Sequence, residues 1–205
     1  MTPLNFSQPI ILENDRVLLR PLQAEDFEHL KEFAINEPTL WEYSLMPANG
    51  IENMRRYIDL ALFDREKQSS YPFIVFDKKI QAYVGSTRFC DYQAKHNTVQ
   101  LGYTWYGHAS QGTGLNKHCK FLMLQFAFET LELDRVEFRA DNNNARSIAA
   151  MKSIGCTVEG VLRSNCASPN GRRDSIVLSI LKEEWMGSAS SSDGGLKKQL
   201  FGKLR

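Results

Sequence analysis

The spacing of apolar residues divides the chain into segments of different period. Residues 16–22 alternate around Val17 and Leu19 and stop near Pro21, which predicts a first strand. Residues 25–36 place Phe27, Leu30, Phe33 and Ala34 at helical spacing, and residues 53–67 do the same with Met54, Tyr57, Ile58, Ala61 and Leu62. Three runs rich in aromatic and β-branched residues follow, at 73–76, 83–92 and 98–105. The polar gaps between them, at 77–81 and 93–97, are short, so an antiparallel meander is expected.

Residues 115–131 carry Phe121, Leu124, Phe128 and Leu131 on one stripe, with Leu122 and Phe126 beside it, and predict a long buried helix. Residues 136–140 read as a strand and 145–154 as a short helix ended by Gly155. Residues 157–162 and 175–181 read as two further strands. Strand, glycine-containing loop, helix and strand between residues 99 and 140 form one βαβ unit, so part of the sheet should be parallel. The expected fold class is therefore a mixed α/β (α+β) single domain. Its central sheet is mixed but mostly antiparallel, with about seven strands flanked by about four helices.

The pattern breaks at the end of the chain. Residues 187–195 are rich in Gly and Ser, and Leu196, Leu200, Phe201 and Leu204 then recur among basic residues. A linker leading to a short basic amphipathic helix fits them, which divides the chain into a domain at 1–186 and a tail at 187–205. Docking of that helix on the domain is preferred to membrane or partner binding, because one short basic helix binds membranes weakly.

Composition narrows the classes. At 205 residues the chain can bury a full core without disulfide or metal staples, and 42% hydrophobic with 24% charged residues is ordinary globular composition. A net charge of +1 gives no reason to expect nucleic acid or an anionic membrane as the main partner. No signal-like or membrane-spanning run is seen, so a cytoplasmic protein is expected. Cys90, Cys119, Cys156 and Cys166 are scattered without zinc-ligand spacing, which favours reduced thiols and no metal.

The candidate chemistry begins at Gln111, Gly112, Thr113, Gly114, Leu115, Asn116 and Lys117, between a predicted strand and the start of the long helix. Free amides and the helix dipole at such a junction bind phosphate, although a glycine pair there can equally be a plain turn. The run is neither a Walker A loop nor a dinucleotide fingerprint, because the required Gly-Lys-Ser/Thr and the third glycine are missing. Asn144 and Ser147 lie three apart at the start of the next helix, near one face. One of Asn142, Asn143 or Asn144 should also cap that helix.

With these motifs in order, the chain resembles the GNAT superfamily of N-acetyltransferases, in the branch of the ribosomal-protein alanine and serine N-acetyltransferases. Matching segments run from Arg16-Val17-Leu18-Leu19-Arg20-Pro21-Leu22 through Gly85-Ser86-Thr87-Arg88-Phe89 and Leu101-Gly102-Tyr103-Thr104-Trp105. They continue through Glu159-Gly160-Val161-Leu162-Arg163 to Glu184-Trp185. The resemblance implies acetyl-CoA as cosubstrate, no metal, and direct acetyl transfer to a primary amine, either a peptide N-terminus or a small molecule. The enzyme would be a monomer or homodimer. It further implies that amides from Gly112 to Lys117 hold the CoA pyrophosphate and that the strand ending at Trp105 and Tyr106 holds pantetheine. Gln111, Gly114 and Asn116 fall on the key positions of the family's coenzyme loop. Asn144 would touch pantetheine, and Ser147 would hydrogen-bond the departing sulfur as the catalytic side chain.

One position departs from the family. Gln100 stands where members often carry a carboxylate, and an amide takes up no proton at neutral pH. The general base is therefore unassigned, with Glu159, His96, His108 and Asp91 as substitutes. A CoA-binding protein without transferase activity is the alternative reading. Arg88, Trp41, Tyr103 and Trp105 are candidates to line the acceptor cleft, and core packing accounts for the aromatics equally well.

Overall fold

The runs of β-branched and aromatic residues become the middle of one sheet. In the computed structural model, which describes residues 3–168, 171–187 and 195–204, the meander consists of β3 (Ser70–Asp77), β4 (Ala82–Gln93) and β5 (Thr98–Tyr106). On its outer side β2 (Val17–Pro21) pairs antiparallel with β3, and β1 (Leu12–Glu13) pairs with β2. Beyond β5 lie β6 (Arg135–Asp141), β8 (Gly171–Leu181) and β7 (Thr157–Ser168), giving the order β1-β2-β3-β4-β5-β6-β8-β7. Among the described residues only β5 and β6 pair in parallel, as the βαβ reading requires.

The eight strands exceed the expected seven by β1, whose two residues are too few to show a period. The helices are α1 (Phe27–Asn36), α2 (Ile51–Glu66), α3 (Leu115–Gln125), α4 (Ala145–Ser153), α5 (Lys182–Met186) and α6 (Gly195–Gly202). Against the expected four, the additions are the single-turn α5 and α6, which falls on the amphipathic segment of the tail. The rest of the expected linker, residues 188–194, lies outside the described residues. Helix α3 stops short of residue 131. A π turn at Phe126–Thr130 takes over, with Leu131 N–H donating to Phe126 O at 3.0 Å, yet Phe128 and Leu131 remain buried.

Two apolar layers cover the sheet. Helices α1 and α2 close one face over Leu22, Ile58, Ile74, Trp41 and Trp105, and α3 with its neighbours closes the other over Val75, Phe89, Leu101 and Leu178. Helix α6 packs on this second layer: Leu200 is buried, Leu196 lies over Gly155, and Phe201 meets Phe121 at 5.7 Å between ring centroids. Lys197 Nζ and Glu129 add an ion pair at 2.8 Å.

The site is positioned by a split in this sheet. Strand β5 pairs with β6 only over Thr98–Gln100, opposite Arg135–Glu137. Past Gln100, β5 stays with β4 as far as Tyr106, and β6 stays with β8 as far as Asp141. The two central strands therefore diverge into a wedge, and the N-termini of α3 and α4 follow directly from its two arms.

Candidate functional site

The loop from β5 to α3 is pinned at its base and open at its top. Gln111 Nε2 donates to Tyr106 O at 2.8 Å, and Gln111 Oε1 accepts from Arg146 on α4, so this one amide ties both arms of the wedge together. Thr113 Oγ1 closes the turn on Ser110 O at 2.8 Å. Gly112 and Gly114 have φ of +74° and +86°, a region that β-carbons disfavour, and nothing lies within 4 Å of where a Cβ would sit on either. The first helical donors are Lys117 N–H and His118 N–H, both to Gly114 O. Among the described residues, the amides of Gly112, Thr113, Gly114, Leu115 and Asn116 have no acceptor. A row of free N–H groups at a helix N-terminus, with open space above it, is an anion cradle.

Asn116 faces inward from this cradle, where its Oδ1 accepts from Tyr106 Oη at 3.2 Å. Tyr106 is buried, and burial pushes its phenol well above the ordinary value. Trp105 points to the opposite face of the sheet. Its Nε1 donates to Tyr57 Oη at 3.2 Å, and its ring packs 5.3 Å from that of Trp41. Trp41 and Trp105 are therefore core residues, as the packing alternative allowed.

Across the wedge, Asn144 caps α4: its Oδ1 accepts the backbone N–H of Ser147 at 3.0 Å. Of the three asparagines that could cap, it is this one, and the bond leaves its amide NH2 free to reach a ligand. Ser147 is half-buried, and among the described residues its hydroxyl has no partner.

Strand β5 carries a further device. Ser86 pairs with Trp105 and Arg88 with Gly102, so three steps on β5 oppose two on β4. The extra residue is absorbed at Tyr103, which takes φ +52°. Such a bulge re-aims side chains and frees backbone groups, here on the lip of the wedge. It sets Thr104 Oγ1 2.8 Å from Thr87 Oγ1 and 2.7 Å from Lys120 Nζ. Lys120 also donates to Thr87 at 3.2 Å, and its side chain is buried, which pushes the ammonium down from 10.5 to about 8.

The substitutes for a general base separate on this geometry. Glu159 is held by Arg135 and by Ser179 Oγ at 2.8 Å, and the Arg135 guanidinium lowers its pKa, opposite to what a base needs. Asp91 and His96 are exposed around the β4–β5 hairpin, at the closed end of the wedge. His108 is exposed and bonded to Thr39 at 3.1 Å. Among the described residues the Gln100 side chain accepts only the weak Sγ–H of Cys90 at 3.6 Å. Lys120 was not anticipated. A lone cation in a helical stretch reads as exposed, and only the structure shows that every position from 118 to 124 is buried.

Beyond the end of β6, a polar cavity of about 180 Å³ lies between Glu42 and Tyr43 of the α1–α2 connection, Asp141 and Asn143, and Ser168 and Arg172 of the β7–β8 hairpin. Among the described residues, no helix is long and apolar enough to cross a membrane, and no group of three or more His, Cys, Asp or Glu side chains is placed to hold a metal ion. Burial raises the thiols of Cys90 and Cys156 to about 12 and that of Cys119 to about 11, so these are not nucleophiles.

A family model described as the acetyltransferase (GNAT) domain matches residues 16–157, which span the wedge, the open loop and the α4 cap. The chain belongs to the GNAT acetyltransferase family. Among relatives of this acetyltransferase, a putative ribosomal N-acetyltransferase, YdaF of Bacillus subtilis, is 29% identical over 85% of this chain and 96% of its own length. The crystal structure of a putative acetyltransferase from T. thermophilus superposes with a TM-score of 0.83 at 28% identity, covering 97% of this chain and 99% of that one. The fold also extends to the microcin C7 self-immunity acetyltransferase MccE, solved with acetyl-CoA and AMP. There the TM-score is 0.73 at 20% identity, over 82% of this chain and 93% of that one.

Proposed function

We propose that this GNAT acetyltransferase moves an acetyl group from acetyl-CoA to a primary amine, on a peptide N-terminus or a small molecule. The observation that carries the reading is the row of unpartnered amides from Gly112 to Asn116 at the mouth of the wedge. A pyrophosphate is the part of CoA that such a row suits, with Lys117 beside it adding positive charge. The acetyl-CoA present in the MccE structure supports the same coenzyme here. The coenzyme supplies an activated thioester; this chain's residues bind, orient and move protons.

The amine must shed a proton before attack, and the departing sulfur must gain one. We assign the first task to Thr104 and Lys120. The Thr104 hydroxyl takes the amine proton as its own passes to neutral Lys120 Nζ 2.7 Å away. Ser147, with its hydroxyl uncommitted, hydrogen-bonds the sulfur and passes it a proton as it takes one up from solvent. Amides freed by the Tyr103 bulge face the developing oxyanion. Net, an ammonium and a thioester become an amide, a thiol and a released proton. On this reading residues 1–186 form the catalytic domain and 187–205 a tail. A cytoplasmic setting, where thiols stay reduced, suits free Cys90, Cys119, Cys156 and Cys166.

Thiol release from acetyl-CoA, followed over a panel of amines and N-terminal peptides, tests this reading. Release that depends on an acceptor and yields its acetylated product is the expected result. CoA binding without transfer to any acceptor would overturn it in favour of a binding protein.

A further inference from the structure

On the α2 face of the sheet, β4 buries a cation whose edge makes no hydrogen bond among the described residues. Arg88 is 0% exposed, and its Nε and both terminal nitrogens have no hydrogen-bond partner among the described residues. Its flat faces are covered: the guanidinium carbon lies 4.5 Å from the Tyr57 ring centroid and 4.4 Å from that of Tyr103. Stacking satisfies the faces of a guanidinium and not its edge, where five N–H donors lie in plane. The nearest anion, Asp64 Oδ2, is 3.8 Å from one terminal nitrogen, beyond hydrogen-bond distance, and its side chain is one-third exposed. Buried donors in native folds almost always have acceptors, so this edge is built for a group supplied from outside.

The position of Arg88 says where that group comes from. Arg88 pairs with Gly102, and the next residue, Tyr103, is the bulged one on the lip of the wedge. Tyr103 is 42% exposed, and its ring stands over the guanidinium. One strand spacing, about 4.8 Å, separates the β4 backbone from that of β5. A rotamer change at Tyr103 would uncover one face of the Arg88 guanidinium, the other staying against Tyr57. A carboxylate fits the edge best, because its two oxygens match the guanidinium fork. A dianionic phosphate would meet about twice the repulsion from Asp64 that a singly charged carboxylate meets.

We propose that Arg88, gated by Tyr103, is a carboxylate subsite for the acceptor, so that the substrate amine carries a carboxylate within reach of the bulge. The inference rests on the acetyltransferase reading above and names its substrate class. The carboxylate can belong to a free amino acid or to an acidic residue near a peptide N-terminus, and the test separates these sources.

The probes are acid and amide pairs sharing one amine: glycine and glycinamide, β-alanine and its amide, and pentapeptides opening with Asp or Asn and with Glu or Gln. Each is added to the full chain saturated with CoA and followed by melting temperature, then assayed with acetyl-CoA for kcat/KM. The expected result is that in at least one pair the acid stabilises more than the amide and is acetylated at least tenfold more efficiently. Arg88→Met abolishes that preference. If Arg88→Met does not fold, Arg88→Lys, which keeps the charge without the fork, lowers the preference at least threefold. No acid preference in any pair, or one unchanged by the substitution, overturns the subsite. Failure of CoA itself to stabilise the wild-type chain would instead count against the parent reading.

Discussion

Replacing Lys120 by methionine should make the protein more stable at neutral pH. The ammonium is buried against Thr87 and Thr104, and its pKa falls from 10.5 to about 8 because burial penalises the charged form. At pH 7 the unfolded chain and the folded chain both hold the proton, and the folded chain bears the penalty. At about 1.4 kcal/mol per unit, the shift corresponds to about 3 kcal/mol against the fold at pH 7. Between pH 8 and pH 10.5 the folded state releases the proton while the unfolded state keeps it, so wild-type stability rises with pH across that window. By pH 9.5 the penalty has shrunk to about 1 kcal/mol. Methionine is one heavy atom shorter but keeps the unbranched apolar stem without the charge, and Thr87 and Thr104 remain 2.8 Å apart as partners for each other. Lys120→Met should therefore melt roughly 6–12 °C above wild type at pH 7, at about 2–4 °C per kcal/mol for a chain of this size, and the gap should narrow by about half or more at pH 9.5. Paired calorimetric melts of the two proteins at both pH values read this directly. The same variant should lose the rise in kcat/KM centred near pH 8. A variant less stable than wild type at pH 7, or a gap that ignores pH, would refute the assignment of a strained buried ammonium.

Substitutions at three further positions probe the wedge. Asn144→Ala removes the acceptor for Ser147 N–H and should cost about 1 kcal/mol, while Asn144→Asp keeps the cap and most of the stability in denaturant titrations. Ser147→Ala leaves that cap intact, so its melting temperature should stay within about 1 °C of wild type while kcat falls at least tenfold with little change in the KM for acetyl-CoA. Gly114→Val places a β-branched residue at φ +86°, which should cost about 1–2 kcal/mol and weaken CoA binding at least tenfold by calorimetry.

Much of this architecture is legible in the pattern of apolar residues, because strands and helices buried on one face must repeat at their own period. The meander of β3 to β5 and the parallel step to β6 follow from spacing alone. The length of α3 does not, since the apolar stripe runs on through Phe128 and Leu131 while the backbone loosens into a π turn. Strand β1 is too short to show a period, and β7 extends to Ser168 through a polar stretch that pairs with β8 without burying side chains. The loop at residues 111–117 is readable as a glycine turn before a helix, but only its free amides make it a candidate cradle. The Tyr103 bulge has no signature in sequence, because a tyrosine at positive φ is imposed by the register between β4 and β5. Lys120 shares that character, because it looks like a surface cation in the sequence and is buried in the fold; Arg88 is a cleft candidate in the sequence, but its burial without a hydrogen bond shows only in the structure.

The central claim is that the Gly112–Lys117 loop holds the coenzyme pyrophosphate. Its most direct test is an amide NMR titration of the labelled full chain, in which the glycine resonances stand apart from the rest. On addition of CoA, the amides of Gly112 and Gly114 should move more than those of Gly50 and Gly171, which lie outside the wedge, and inorganic pyrophosphate should move them in the same direction. CoA binding that leaves both loop glycines unmoved would contradict the account.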